Sequence, residues 1–334
     1  MDASLMRALA RQIGPAAAWA LVLLLGFEAA LHCDAWLYRY RSVFAAGRAE
    51  DKMRHAARQQ PDTLFVGNSR TDNGLSPAAF RAGADLPDRH VAFNLGLPGA
   101  NTLVLRGVVE RLLERGMKPP ADVFIALDET LFQDEDSLGY YGFFALRDDL
   151  WQDGLHGALF GSWLRSWYYS GNLRQLREPD KLGRFIEATF HEIEPVGGSA
   201  ERTAGYRQGR SGGFQTAEQL RAQEAGTRAP PDPRMTRHLF DLVERLTRAG
   251  SRVHLIAVPM FERASAFGPD AAAGPYADIL PALEARGARW LEAPPGRPLQ
   301  PGDFADPGHL NDSGARVFST SLGQAFARTA PPRP

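Results

Sequence analysis

Residues 62–77 read DTLFVGNSRTDNGLSP. An apolar run, Thr63 to Val66, stops at Gly67 and gives way to a small polar cluster: Asn68, Ser69, Arg70, Thr71 and Asp72. Ser76-Pro77 then carries a helix-start signal. A short run this apolar matches a strand covered on both faces of a parallel sheet. Ser69 then stands just past a strand's C-terminal end, where open α/β sheets hold their ligands. It is either a turn serine or a nucleophile, and its immediate neighbours do not decide between the two.

The same rhythm extends outward. Apolar runs predict strands at 91–94, 121–127, 252–259 and 288–293. Helical spacing predicts helices at 77–83, 101–116, 234–250, 275–287 and 311–328. In the 101–116 segment Leu103, Val104, Val108, Leu112 and Leu113 recur on one face, between an Asn101 cap and a Gly116 stop. Strand alternating with helix implies a three-layer, doubly wound α/β sheet of about five parallel strands, order 2-1-3-4-5, as in flavodoxin-like folds. Residues 134–234 break the pattern, with no clean strand. They read as an irregular or helical insertion, dense in Tyr, Phe and Trp in its first half and in Gly, Ser and Arg in its second. Those aromatics form either a subdomain's own core or the lining of a cap or a membrane-facing surface.

Composition narrows the classes. With 44% hydrophobic and 23% charged residues in 334, the chain has enough apolar material for a globular core. A net charge of -1 gives no electrostatic footprint for nucleic acid. A single cysteine, Cys33, excludes an intramolecular disulfide and a cysteine-based zinc site.

Residues 13–31, IGPAAAWALVLLLGFEAAL, carry one charge, Glu28. That length is near the ~20 residues a helix needs to cross a bilayer. Arg7 and Arg11 precede the run, so the positive-inside tendency puts residues 1–12 in the cytoplasm. We expect an anchor over 13–33, a juxtamembrane linker or helix over 34–60, and the α/β domain over 61–330 outside the membrane. A cleaved signal peptide and a buried helix are the alternatives.

A serine needs a base, and the base needs an orienting group. The late segment FADPGHLNDSG offers both, Asp306 and His309, three residues apart before the last helix. The loop NLGLPGAN after the second strand offers a close-approaching backbone N–H at Gly99, and Asn94 offers a side-chain donor. The Ser69 N–H is a further oxyanion donor. Asn68, Arg70 and Asp128 are candidate substrate contacts. Five carboxylates at 128, 129, 134, 135 and 136 lack ligand spacing and read as a solvated loop.

The order GNSR, then NLGLPGAN, then DPGH resembles the SGNH (GDSL-type) hydrolase superfamily. The resemblance implies Ser69 as nucleophile, Gly99 as oxyanion donor, and Asp306 and His309 as triad partners. Two positions depart from it: Asn68 stands for the block-one Asp, and Asp128-Glu129-Thr130 stands where a block-three Asn is usual. Within the superfamily the anchored form resembles exported proteins of cell-envelope polysaccharide O-acylation. That implies an O-acyltransferase, most simply O-acetyl, that needs neither metal nor cofactor. It implies a membrane-bound O-acyltransferase (MBOAT) as donor partner, a polysaccharide acceptor and a single-pass place in the cell inner membrane with a periplasmic domain. An anchored carbohydrate or lipid esterase, and a non-catalytic assembly protein of polysaccharide export, are the alternatives.

Overall fold

The computed structural model describes residues 3–209, 216–223, 229–268 and 274–329, with side chains from Pro15 onward. Five strands, β1 (Thr63–Gly67), β2 (Ala92–Gly96), β3 (Asp122–Ala126), β4 (Arg252–Ile256) and β5 (Arg289–Trp290), form a parallel sheet of order β2-β1-β3-β4-β5. Every residue of β1, β2 and β3 is buried, the reason their sequences carry no polar alternation. The edge strand β5 is only two residues long, shorter than its apolar run suggests. A separate antiparallel ribbon pairs β6 (Phe304–Asp306) with β7 (His309–Leu310).

The pleat divides the core. Leu64, Val66, Leu95, Val123 and Ile125 face one layer, packed against helices Ala45–Gln59, Thr102–Glu114 and Pro233–Arg248. Phe65, Phe124 and Ala126 face the other, packed against helices Pro77–Gly83 and Asp312–Thr329. There Phe65, Phe80, Phe124 and Phe326 pack edge-to-face or tilted, with centroids 5.1 to 5.6 Å apart.

Helix Ala45–Gln59 lies in the stretch expected as a juxtamembrane linker or helix over 34–60, and it packs as part of the domain. Ala46, Ala49, Met53 and Ala56 are fully buried in the main core, so this helix is a layer of the domain. Lys52, also fully buried, reaches under the sheet's C-terminal edge. Its Nζ donates to Asp72 Oδ1 at 2.6 Å and to the Gly96 carbonyl at 2.5 Å. Burial pulls the Lys52 ammonium down to about 8, against the attraction of Asp72.

The insertion is helical. Its described part includes His156–Trp163, Arg165–Leu173 and Pro179–Phe190. Its first aromatics join the main core rather than a core of the insertion's own. Tyr140, Tyr141, Phe143 and Phe144 are buried in the main core, while Trp151, Trp163 and Trp167 are exposed. The first helix, Ala3–Leu31, is tied to the insertion by Glu28, whose carboxylate accepts from the Arg165 and Ser166 N–H groups. Among the described residues no helix is long and apolar enough to cross a membrane. The expected anchor over 13–33 begins before the described side chains.

Replacing Lys52 with Ala leaves Asp72 buried without its closest cation. We expect the unfolding free energy to fall by about 3–5 kcal/mol. Denaturant unfolding at neutral pH measures it, and a loss below ~1 kcal/mol rules out the role.

Candidate functional site

Ser69 is the first residue of a short helix, Ser69–Gly74, seated on the C-terminal ends of β1 and β2. Two glycines permit the seating. Gly67 and Gly96 are paired across the strands. A Cβ on Gly96 would lie 2.3 Å from the Asp72 nitrogen, and one on Gly67 would lie 2.1 Å from Thr71 Oγ1. The Asn68 side chain caps the helix by accepting from the Arg70 N–H at 3.0 Å. The Asn73 amide donates to the Ser69 carbonyl at 2.7 Å.

The β6–β7 ribbon delivers the base. Asp306 and His309 are cross-strand neighbours joined by Pro307-Gly308, so the three-residue spacing is that of a hairpin. Ser69 Oγ lies 2.8 Å from His309 Nε2, and His309 Nδ1 lies 2.7 Å from Asp306 Oδ1. An ionised carboxylate only accepts, so the hydrogen sits on Nδ1 and the Nε2 lone pair faces the serine hydroxyl. That is the tautomer a general base needs. Asp306 Oδ1 also accepts from the Gly308 N–H at 3.0 Å.

Asp303 braces the ribbon. It is buried and accepts from Arg297 at 2.6 and 2.9 Å, from the Gln300 N–H at 2.8 Å and from Ser313 Oγ at 2.8 Å. The Arg297 hydrogen bonds hold its carboxyl down at about 2, against the opposing effect of burial.

The oxyanion candidates separate. The Ser69 N–H opens its helix and has no carbonyl four residues back within that helix. Gly99 is exposed, with φ +70°. Asn94, expected as a side-chain donor, is fully buried. Its Nδ2 donates to the Thr71 and Leu75 carbonyls at 2.7 and 2.6 Å, and its Oδ1 accepts from the Gly96 N–H. Both amide hydrogens are committed, so Asn94 fixes the Ser69 helix to β2 rather than facing a ligand.

The expected substrate contacts are likewise turned inward. Asn68 Nδ2 donates to Asp128 Oδ2 at 2.5 Å and to Thr130 Oγ1 at 2.8 Å. Asp128 Oδ1 accepts from the Thr130 N–H and hydroxyl. Arg70 Nη1 lies 3.6 Å from Glu129 and 3.9 Å from Asp128. These three side chains tie the Ser69 turn to the turn after β3. The carboxylate stretch corrects the expectation of a solvated loop. Asp134 accepts from Tyr141 and Arg234, and Asp136 from the Tyr140 and Tyr141 N–H groups. Among the five, Glu135 is the exposed one. Sequence reasoning missed Lys52 and Asp303. Lys52 is the one lysine in a helix otherwise basic through arginine, a faint signal; Asp303 gave none before the ribbon folded.

No protein-family model matches the chain, and neither a curated protein nor a solved structure matches it.

Because the folded Asp303 carboxyl titrates below its ordinary 3.8, the unfolded chain takes up this proton first as pH falls. Its contribution is complete above about pH 4 and is lost as pH falls through about 2. Thermal melts between these limits should lose more stability in the parent than in Asp303→Asn. Parallel losses would sever Asp303 from the effect.

Proposed function

We propose that this protein is a serine-dependent acyltransferase of the SGNH type, exported and membrane-anchored, that O-acylates a cell-envelope polysaccharide. The observation that carries the proposal is the continuous series Ser69 Oγ, His309 Nε2, His309 Nδ1, Asp306 Oδ1, with links of 2.8 and 2.7 Å. The two positions that depart from the superfamily pattern, Asn68 and Asp128, bond to each other, so the Asp128 carboxylate, which only accepts, braces the Ser69 turn.

The chemistry follows from the geometry. Ser69 Oγ attacks the acyl carbonyl as its proton passes to His309 Nε2, while Asp306 stabilises the imidazolium. The oxyanion is met by the Ser69 and Gly99 N–H groups. His309 returns the proton to the departing donor oxygen, leaving an ester on Ser69. A saccharide hydroxyl then attacks that ester, His309 takes its proton, and Ser69 recovers it as the product ester leaves. Water in place of the saccharide gives the esterase.

The donor partner is a membrane-bound O-acyltransferase. The place is the inner membrane, with the domain on the periplasmic side. Trp19, Leu21, Val22, Leu23, Leu24, Leu25 and Phe27 on helix Ala3–Leu31 are uncovered, which favours a lipid environment for that helix.

Incubation with a chromogenic acetyl ester should acylate Ser69, seen by peptide mass, and Ser69→Ala should abolish it. His309→Ala should cut turnover about ten-thousand-fold with the fold retained by circular dichroism. An unlabelled parent, or full turnover in either variant, refutes the proposal. An oligosaccharide acceptor that gains the acyl mass separates transfer from hydrolysis.

A further inference from the structure

A cavity of about 870 Å³ opens beside the Gly99 loop. Leu97 and Pro98, directly after β2, form part of its wall, and helices Ala45–Gln59 and Pro179–Phe190 form the sides. Five cations line it: Arg41, Arg48, Lys181, Arg184 and Arg207. The carboxylates in the lining are Glu178 and Asp180. Others stand behind the wall. Arg41 is 2.5 Å from Glu192 and 3.8 Å from Asp51, and Lys181 is 3.0 Å from Glu178. At the floor Arg48 is 3.6 Å from Asp72, the carboxylate Lys52 already holds. Arg48 and Arg207 both press the Lys52 ammonium downward, a sign that cations crowd this carboxylate. Two buried guanidinium nitrogens, Arg41 Nε and Arg48 Nε, and the buried Ser42 hydroxyl have no hydrogen-bond partner. The Arg41 side chain is 5% exposed, so water does not readily serve it.

The rim adds a second observation. On helix Pro179–Phe190, Leu182, Ile186 and Phe190 recur at four-residue intervals and are 44%, 53% and 74% exposed. They form an apolar stripe on the helix whose Lys181 and Arg184 line the cavity. The opposite face, Phe185 and Ala188, packs on Tyr40, Val43 and Phe44. Those residues follow shortly after the apolar helix that ends at Leu31. An apolar stripe on one side of a helix, with Lys and Arg on the other, is the pattern of a helix lying in a membrane interface.

We propose that this cavity binds the phosphate headgroup of an anionic phospholipid, with Leu182, Ile186 and Phe190 resting among the acyl chains. The assignment rests on the membrane location argued above, and not on the chemistry of Ser69. Lys181 and Arg184 supply charge at the mouth, and Arg41, Arg48 and Arg207 add positive charge along the wall. The lipid thereby fixes the height of the Gly99 loop above the bilayer, where an acyl donor delivered from the membrane arrives.

The full chain in a neutral detergent is titrated with dihexanoyl phosphatidylglycerol below its micelle concentration, and binding is read by native mass spectrometry and melting temperature. Dihexanoyl phosphatidylcholine, glycerol 3-phosphate and a galacturonate trisaccharide are the comparisons. We expect phosphatidylglycerol to bind at least about tenfold more tightly than each, and the Lys181→Gln/Arg184→Gln double variant to lose about tenfold. Ile186→Ser should weaken the lipid and leave glycerol 3-phosphate unchanged. Equal binding of phosphatidylcholine, or a double variant that binds like the parent, overturns the proposal. Glycerol 3-phosphate as tight as the lipid overturns the lipid source, and tighter binding of the trisaccharide makes the cavity a saccharide subsite. Acyl labelling of Ser69 in the parent is scored separately. A labelled parent that ignores phosphatidylglycerol ends this inference alone, and an unlabelled parent that binds it ends the acyltransferase reading alone.

Discussion

The buried contact between Lys52 and Asp72 is the constraint on which the candidate site depends. Asp72 lies in the helix that Ser69 begins, and Lys52 joins it to the Gly96 carbonyl at the end of β2. A fully buried ammonium is tolerable only beside a carboxylate and a carbonyl that repay its lost hydration. The pair therefore holds the Ser69 helix at one height above the sheet. Gly67 and Gly96 make that height attainable, because any side chain there would strike the helix. Asn94 sews the same helix to β2 through two backbone carbonyls. A half-buried serine is thus carried on a rigid mount, which the positioning of a nucleophile requires.

The partner of Ser69 arrives from the other end of the chain. Ser69 and His309 are 240 residues apart, yet Ser69 Oγ and His309 Nε2 meet at 2.8 Å. The β6–β7 ribbon is short and would be floppy alone. Asp303 stiffens it from below, and the Pro307 carbonyl, accepting from the Phe261 N–H at 2.9 Å, ties its turn to the loop after β4. The two mounts also touch each other: the buried Ser319 hydroxyl, on the helix that follows the ribbon, donates to the Gly74 carbonyl of the serine's helix at 3.3 Å.

The insertion serves a different end. Its first aromatics complete the main core, so residues around 140–144 belong to the domain as firmly as the strands do. Its later helices leave Trp163, Trp167, Ile186 and Phe190 uncovered. Solvent disfavours such a surface, and the ties from Glu28 and His32 to this region connect it to the apolar N-terminal helix.

By itself the sequence determined the rhythm of the sheet. Apolar runs such as LFV at 64–66 and VFI at 123–125 read as fully covered parallel strands because their alternate faces are both apolar. It also placed Ser69, Asp306 and His309 near element ends, while the hairpin that makes Asp306 and His309 cross-strand neighbours emerged only in the structure. The roles of Asn94, Asp128 and Lys52 were decided by tertiary structure alone. Each is a polar side chain whose partners come from distant segments: Thr71 and Leu75 for Asn94, Asn68 for Asp128, Asp72 and Gly96 for Lys52. A polar residue reads in sequence as available to a ligand. Only folding reveals whether the chain's own buried donors and carbonyls, which must all be satisfied, have already claimed it.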